Sequence, residues 1–245
     1  MPSLHVVIPC FNEAQTLRDC VSRVIETRLP EGWDRRVIIV DDCSDQQTAT
    51  VAGELATEDD RIIALRHDEN RGKGAAVRTG FEKALIDAEG EDVLMIQDAD
   101  LEYHPDDFSV LLGVLEAEKY DVVYGDRFDR GQRESPMGWL HTKVNRILTR
   151  LSNLATGLDV NDMECCYKAI PAPFMKRILS ELTEDRFGVE PQVTAALARC
   201  GARIGNASIS YDPRDFKSGK KIGAKDGVRA VFVILKEWSR SRRGS

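Results

Sequence analysis

The 245-residue sequence has no apolar run long enough to cross a lipid bilayer. The longest run near the C-terminus, Ala230 to Leu235, is far shorter than the roughly 20 residues that a spanning helix needs. The start of the chain, Met1-Pro2-Ser3, leads straight into a strand-like run and lacks the pattern of a signal peptide. We therefore expect a soluble protein of the cytoplasm.

The six cysteines contain no C-x-x-C pair. This spacing argues against a zinc site or a disulfide framework and predicts reduced thiols. The phosphate-binding motif G-x-x-x-x-G-K-[ST] is also absent, which excludes a P-loop protein. The segment Gly72–Val77 resembles a dinucleotide fingerprint only weakly, because its sixth position is Val and it does not follow the first strand. We interpret it as a tight turn that opens a helix, with Lys73 as a candidate anion contact.

Charge is unevenly distributed along the chain. The net charge is −7, yet residues 214–245 hold ten Lys or Arg against three Asp or Glu. An acidic body with a basic tail argues against general nucleic-acid binding and indicates an anionic partner for the tail: a diphosphate, a phospholipid surface, or both. A solvated helix face is the plainer alternative for the last arginines.

Short apolar runs alternate with helical patterns through the first half of the chain. The runs are rich in β-branched residues and do not alternate with polar ones, as is typical of strands covered by helices on both faces. The predicted strands are Leu4–Ile8, Val37–Val40, Ile62–Leu65, Val93–Ile96 and Asp121–Tyr124. The predicted helices between them span about 13–27, 46–57, 73–89 and 105–118. This order predicts an α/β fold with an open, twisted, mainly parallel sheet flanked by helices, in a single domain.

The second half has a less regular pattern. It predicts helices at Trp139–Thr156, from Pro173, at Glu190–Arg199 and from Ala224 to Trp238, and strands near Cys166–Ile170 and at Arg203–Ile209. We divide the chain into a main domain, residues 1–223, and a C-terminal amphipathic helix with a basic tail, residues 224–245. In that helix, apolar residues at helical spacing beside Lys and Arg fit either core packing or an anchor in a membrane interface. These residues are Val231, Phe232, Leu235 and Trp238.

Charged and aromatic residues follow four of the predicted strands. Ligands of open parallel sheets bind at the carboxyl ends of the strands, so these residues are expected to share one edge. The segments are Pro9–Glu13, Asp41–Ser44, Asp98–Glu102 and Gly125–Arg127. An Asp or Asn after a strand often only caps the next helix, and Asp45 and Asp106 fit that simpler explanation.

Asp98, Asp100 and Glu102 alternate directly after an apolar strand. If the segment stays extended, all three carboxylates lie on one side. Hard oxygen ligands clustered in this way suit Mg²⁺ or Mn²⁺, which bridge substrate phosphates. The three residues are therefore predicted metal ligands.

Together these motifs resemble family 2 glycosyltransferases of the GT-A fold, and within them the polyprenyl- and dolichyl-phosphate sugar transferases, which are dolichol-phosphate mannosyltransferase-like. The resemblance runs from Val6 to about Lys236. It is carried by Val7–Glu13, Val40–Asp45, Asn70–Gly74, Asp98–Asp100, Gly125–Arg127, Asp162–Lys168 and Ile209–Tyr211 through Lys220. One departure is Cys43, where the family usually has Gly.

The resemblance implies an inverting hexosyltransferase that uses a nucleotide diphosphate sugar, either GDP-mannose or UDP-glucose in type. It assigns Asp100 as principal metal ligand, Asp98 near the metal and ribose, and Ala99 against the nucleotide. The base and ribose pocket would comprise Pro9, Phe11, Glu13, Val40 and Asp41 or Asp42. Cationic groups around the diphosphate and the acceptor phosphate would be Arg127, Arg214 and Lys220.

Two acceptors remain open at the sequence level. A lipid phosphate is already ionised and needs no general base, and Arg127, Lys143 and Arg146 are its candidate partners. A saccharide hydroxyl needs a base, for which Asp162 is the first candidate and Glu164 the second. The lipid acceptor would place the protein peripherally at the cytoplasmic membrane face. A non-catalytic nucleotide-sugar-binding protein is the third hypothesis, and a homo-oligomer is allowed.

Overall fold

Seven strands form one sheet in the order β3-β2-β1-β4-β6-β5-β7. The computed structural model describes residues 1–117, 119–129, 138–213 and 224–243. The strands are β1 (Ser3–Cys10), β2 (Asp34–Asp41), β3 (Ile62–Arg66), β4 (Val93–Ile96), β5 (Val122–Asp126), β6 (Lys168–Pro171) and β7 (Ile204–Ser208). The helices are α1 (Leu17–Glu26), α2 (Gln46–Glu58), α3 (Lys73–Asp87), α4 (Phe108–Glu116), α5 (Gly138–Thr156), α6 (Ala172–Ile178), α7 (Val189–Arg199) and α8 (Ala224–Arg243).

The first four strands form a parallel half-sheet around β1. Strand β1 pairs with β2 and β4, and β2 pairs with β3. Residues in the middle of β1, β2 and β4 are almost wholly excluded from solvent, as expected for strands with helices on both faces. The predicted α/β fold with a mainly parallel sheet in a single domain is confirmed.

Strand β6 is antiparallel to both of its neighbours. Leu94 of β4 pairs with Ile170, and Tyr124 of β5 pairs with Lys168. Strand β5 pairs in parallel with β7 on its other side. Strand β6 therefore joins the first four strands to the β5–β7 pair and makes one continuous sheet.

Several predicted element boundaries shift for local reasons. Helix α1 begins at Leu17 and not near residue 13: Asn12 has a left-handed φ of 54°, and a turn closed by Thr16 N–H donating to the Glu13 carbonyl precedes the helix. The helix predicted from residue 105 opens with a 3-10 turn, Pro105–Asp107, before α4. Helix α8 continues past Trp238 to Arg243.

Helix α8 packs against α5 and α7 through Ala230, Val233, Ile234 and Glu237. Of the apolar residues singled out in the sequence, Val231 is partly buried against the core, while Phe232, Leu235 and Trp238 are exposed. The core-packing alternative is therefore wrong for these three. Within the described ranges, no helix is long and apolar enough to span a bilayer.

Candidate active site

The carboxyl ends of β1, β2 and β4 meet at one edge of the sheet. Cys10 at the end of β1 is in register with Asp41 at the end of β2. Beyond them, the backbone N–H of Asn12 donates to Ser44 Oγ at 3.0 Å, and the Asn12 side-chain oxygen accepts from the Asp45 N–H at 2.8 Å. Reciprocal bonds thus fasten the first two loops together. Asp45 also caps α2 by accepting from the Thr48 N–H, in line with the simpler explanation for this residue.

Asp41, the last residue of β2, and Asp42, which follows it, are both buried and bonded within the protein. Asp41 accepts from the Ser44 N–H and from the Arg66 guanidinium, each at 2.9 Å. Asp42 accepts from His67 Nδ1 at 2.7 Å and from the N–H groups of Arg71 at 2.8 Å and Gly72 at 2.6 Å. Asp42 therefore holds the turn before α3.

The other predicted pocket residues differ in accessibility. Pro9, Phe11 and Glu13 are partly exposed, so a ligand can reach their side chains. The side chains of Val40 and Ala99 belong to the hydrophobic core. Any contact that Val40 or Ala99 makes with a nucleotide would therefore come chiefly from the backbone.

The acidic segment after β4 is not extended, so the condition under which the three carboxylates would lie on one side is not met. The chain turns at Ala99 and Asp100, and Leu101 has a left-handed φ of 64°. An Asp100 carboxylate oxygen accepts from the Glu102 N–H at 3.2 Å, which stabilises the turn. Glu102 is buried and accepts a hydrogen bond from the Tyr211 hydroxyl. The turn therefore gives the carboxylates different surroundings, whereas an extended strand would place them on the same side.

Asp98 is held by a lysine from α3. Lys73 Nζ lies 2.7 Å from Asp98 Oδ1, and it also lies 3.7 Å from Glu190 Oε1 on α7. Burial acts to lower the pKa of Lys73, but the carboxylates of Asp98 and Glu190 outweigh burial and raise the pKa above its ordinary value. Lys73 is therefore a fixed cation beside the predicted metal ligand.

The donor set at this turn fits a divalent cation shared with a substrate. No three acidic, His or Cys side chains among the described residues are gathered as a metal cage. Mg²⁺, however, is commonly held by one or two carboxylates together with substrate phosphates. The partly exposed Asp98 and Asp100 meet that requirement. The contact between Glu102 and Tyr211 does not favour Glu102 as a ligand, and the predicted three-residue metal set stays a prediction.

Arg127, directly after β5, is locked in place by Asp162. Its Nε and Nη2 donate to the two Asp162 carboxylate oxygens at 2.6 and 2.9 Å. The guanidinium carbon also lies 5.0 Å from the centre of the Tyr211 ring and 5.9 Å from that of Tyr103. The Arg127 side chain is only 10% exposed and that of Asp162 is completely buried. Burial alone would lower the pKa of Arg127, but Asp162 raises it well above the ordinary value, so the cation is permanent.

Glu164 lies close to this ion pair in the chain and is half-buried. Its Oε1 is excluded from solvent and has no hydrogen-bond partner in the part of the chain that the structure describes. Burial raises the pKa of Glu164 to about 7, with a further contribution from Glu190, while Lys168 and Arg127 act in the opposite direction. Glu164 is therefore a carboxyl group that titrates near neutral pH.

The remaining predicted cations are distributed differently. Lys143 and Arg146 are exposed on α5, and the Arg146 guanidinium lies 5.3 Å from the centre of the Phe128 ring, beside Arg127 in the chain. Arg214 and Lys220 lie outside the described residues, so their roles stay predictions.

The sequence gives little or no indication of a functional role for four residues at this site. The sequence predicts only an anion contact for Lys73, and it predicts no role for Glu190, Tyr103 or Tyr211. Tyr103 and Tyr211 pair in an isolated antiparallel β-bridge, which brings the acidic turn next to the segment after β7. The one signal in the sequence was a lysine between two glycines at a helix start.

The sheet order and the gathered strand ends define an α/β enzyme of the GT-A class. The crystal structure of glucosyl-3-phosphoglycerate synthase from Mycobacterium tuberculosis superposes with a TM-score of 0.68 at 18% identity, covering 97% of this chain and 80% of that one. This likeness shows the fold.

The sequence profile of glycosyl transferase family 2 matches residues 5–179. The chain belongs to this family and is a glycosyltransferase. Polyprenol monophosphomannose synthase of Mycolicibacterium smegmatis is 26% identical, over 95% of this chain and 85% of that protein. Glycosyltransferase AglD of Haloferax volcanii is 25% identical over 96% of this chain, which spans only 37% of that relative's length.

Proposed function

We propose that the protein transfers a hexose from a nucleotide diphosphate sugar to a polyprenyl phosphate, with inversion at the anomeric carbon. The similarity to a polyprenol monophosphomannose synthase supports a lipid phosphate acceptor. We infer a GDP- or UDP-linked donor, because the pocket residues suit either base. We also propose that the enzyme acts peripherally at the cytoplasmic face of the membrane.

The burial of Asp162 is the observation that carries this proposal. A hydroxyl acceptor needs a base that can receive its proton. Asp162, the first candidate, is fully buried and both its oxygens accept hydrogen bonds from Arg127. A phosphate acceptor needs no base, but it does need a fixed cation. Arg127, held rigid by Asp162, supplies that cation.

On the donor side, the acidic turn places two partly exposed carboxylates at the end of β4. A divalent cation bound by Asp98 and Asp100 would neutralise charge on the leaving diphosphate. Structures of the Mycobacterium tuberculosis synthase with Mn²⁺ or Mg²⁺ and UDP support this metal use. Phe11 and Glu13 face the same edge and would orient the nucleotide, so that the sugar points toward Arg127.

Two neighbouring helices offer an apolar surface suited to lipid. Helix α5 carries exposed apolar residues at spacings of three and four, and α8 carries a similar row. The exposed residues are Val144, Ile147, Leu151 and Leu154 on α5 and Val228, Phe232, Leu235 and Trp238 on α8. Helix α5 contains Lys143, Arg146 and Arg150 and no acidic residue, which suits an anionic lipid surface. Binding there would bring a lipid-borne phosphate to the enzyme.

The test is a donor and acceptor panel. The protein is incubated with UDP- and GDP-sugars and Mn²⁺, together with polyprenyl phosphate, with a saccharide acceptor or with neither, and the released nucleoside diphosphate and the glycolipid are measured. We expect one of the donors to release its nucleoside diphosphate. This release should depend on the lipid phosphate, and glycolipid should form in an equal amount. Release that is unaffected by lipid phosphate but rises with a saccharide would overturn the proposal.

Glu164 favours a second candidate, transfer to a hydroxyl. Its raised pKa of about 7 suits a general base, and its Oε1 accepts no hydrogen bond from any residue that the structure describes. Glu164→Gln separates the candidates. It should leave transfer to a phosphate within a few-fold of normal, whereas transfer to a hydroxyl should fall by roughly 10²–10⁴.

A further inference from the structure

A line of alternating charges runs from the donor site into the protein. Asp98, at the outer end, pairs with Lys73 at 2.7 Å, and Lys73 faces Glu190 Oε1 at 3.7 Å. The second Glu190 oxygen accepts from Lys168 Nζ at 2.8 Å. Lys168 also donates to the backbone carbonyl of Cys165. The line thus connects the acidic turn after β4 with the segment that contains Asp162.

The four side chains are shielded from solvent to increasing depth. Their exposed fractions are 21% for Asp98, 17% for Lys73, 6% for Glu190 and 1% for Lys168. Charges in such positions are screened far less than surface pairs. The charge on each of these side chains therefore affects how strongly its neighbour attracts the next charged side chain in the line.

Glu190 divides its two oxygens between the lysines. Its Oε1 makes no hydrogen bond in the described part of the chain, so its interaction with Lys73 is one of charge across 3.7 Å. Glu190 lies in the first turn of α7, and the backbone carbonyl of the same residue accepts from Thr194 Oγ1, within the helix. The α7 helix thus holds Glu190 where it can draw Lys73 away from Asp98.

We propose that Lys73 and Glu190 are positioning residues that set how tightly Asp98 binds a divalent cation. The inference rests on the proposed use of a metal by Asp98 and Asp100. Lys73 fixes the Asp98 carboxylate and offsets its charge, and it also competes with the cation for that carboxylate. Glu190 offsets part of the charge of Lys73 and weakens the competition. Removal of Lys73 and removal of the Glu190 charge should consequently shift metal affinity in opposite directions.

The experiment measures Mn²⁺ binding, without nucleotide and in the presence of UDP or GDP, by titration calorimetry and by the electron paramagnetic resonance signal of free Mn²⁺. Lys73→Met should bind Mn²⁺ roughly tenfold more tightly than the unsubstituted protein, because a competing cation is gone. Glu190→Gln should bind it roughly tenfold more weakly, because Lys73 then acts on Asp98 alone. Both variants should lower kcat at saturating Mn²⁺ by about 10- to 100-fold. The conservative variant Lys73→Arg should keep most of the kcat of the unsubstituted protein.

Lys83→Met is the matched control, since Lys83 lies on the same helix and its ion pair with Asp87, at 3.7 Å, lies at the surface. Its Mn²⁺ affinity should be unchanged. Shifts of equal sign in Lys73→Met and Glu190→Gln, or no shift, would overturn the inference. If Lys73→Met does not fold, Glu190→Gln decides alone, because unchanged or tighter binding contradicts the proposal. Failure of the unsubstituted protein to bind Mn²⁺ both without nucleotide and with UDP or GDP present would instead refute the metal use itself, and this inference with it.

Discussion

Arg127 and Asp162 form a two-bond ion pair, at 2.6 and 2.9 Å, between the segments that follow β5 and precede β6. Both side chains are nearly or wholly out of solvent. The pair links the two acceptor hypotheses: Asp162 is the predicted base for a hydroxyl acceptor, and its partner Arg127 is the predicted contact of an acceptor phosphate. A substitution of Asp162 therefore also alters the group that holds Arg127 in place.

Asp162→Asn should destabilise the protein by about 3 kcal/mol, because it leaves a buried guanidinium without its counter-charge. We expect transfer to fall about 10- to 100-fold for either acceptor, as Arg127 loses its fixed orientation. Asp162→Asn therefore does not separate the acceptors, and Glu164→Gln is the better test. Urea denaturation and turnover measure the two effects.

The control is a similar pair at the surface. Arg203 donates to both oxygens of Asp121 at 3.0 and 2.9 Å, but its side chain is 64% exposed. Asp121→Asn should cost no more than about 1 kcal/mol and leave turnover unchanged. If Asp162→Asn and Asp121→Asn lost equal stability and equal turnover, burial of the Arg127–Asp162 pair would contribute nothing to either quantity.

Asp100→Asn should abolish Mn²⁺ binding and turnover, whereas Glu102→Gln should keep Mn²⁺ affinity within a few-fold. The reason is that Glu102 is buried against the Tyr211 hydroxyl, while Asp100 is partly exposed at the turn. Calorimetric titration with Mn²⁺ compares the two. Complete loss of binding in Glu102→Gln would restore the three-carboxylate site predicted from the sequence.

Glu164 should give the protein a pH-dependent stability between about 4.5 and 7. The folded pKa of about 7 exceeds the ordinary value of 4.5, so the folded protein binds more protons than the unfolded chain in this window. The free energy of unfolding should therefore fall as pH rises from 4.5 to 7, by on the order of 1–3 kcal/mol from this group. Glu164→Gln should remove that slope and be the more stable protein at pH 8. Urea titrations of both proteins at pH 5, 6, 7 and 8 measure the difference, and parallel curves would refute the raised pKa.

The apolar rows of α5 and α8 should bind vesicles of anionic phospholipid. Ile147→Ser and Phe232→Ser each remove an exposed apolar side chain, with exposed fractions of 56% and 61%. Each should weaken vesicle binding in sedimentation assays by roughly 10-fold or more, since burial of such a side chain contributes about 1.5–3 kcal/mol. Thermal stability should change little. Ile86→Ser on α3, where Ile86 is 72% exposed, is the control and should bind vesicles normally. If all three variants bind as the unsubstituted protein does, the rows have no part in lipid contact.

Local pattern was sufficient to predict most of the fold. The Val93–Ile96 strand has the predicted bounds, because a short apolar run with both faces covered has few other solutions. The site was harder, since its geometry depends on backbone conformations and on partners distant in sequence. The left-handed Leu101 turns the acidic segment, and no period in the sequence reveals that. The pairing of Lys73 with Glu190 requires α3 and α7 to be packed already.

The antiparallel β6 has a consequence for the order in which the molecule can be completed. As the chain leaves the ribosome, β1 to β4 can pair among themselves, but the far edge of β4 stays open until Ile170 and Pro171 have been synthesised. Glu190 follows later still. A nascent chain that stopped before residue 168 would therefore expose an unpaired edge beside the acidic turn, the kind of edge that invites association with other chains. The candidate donor site, although built mainly from the first hundred residues, is completed by the last third of the protein.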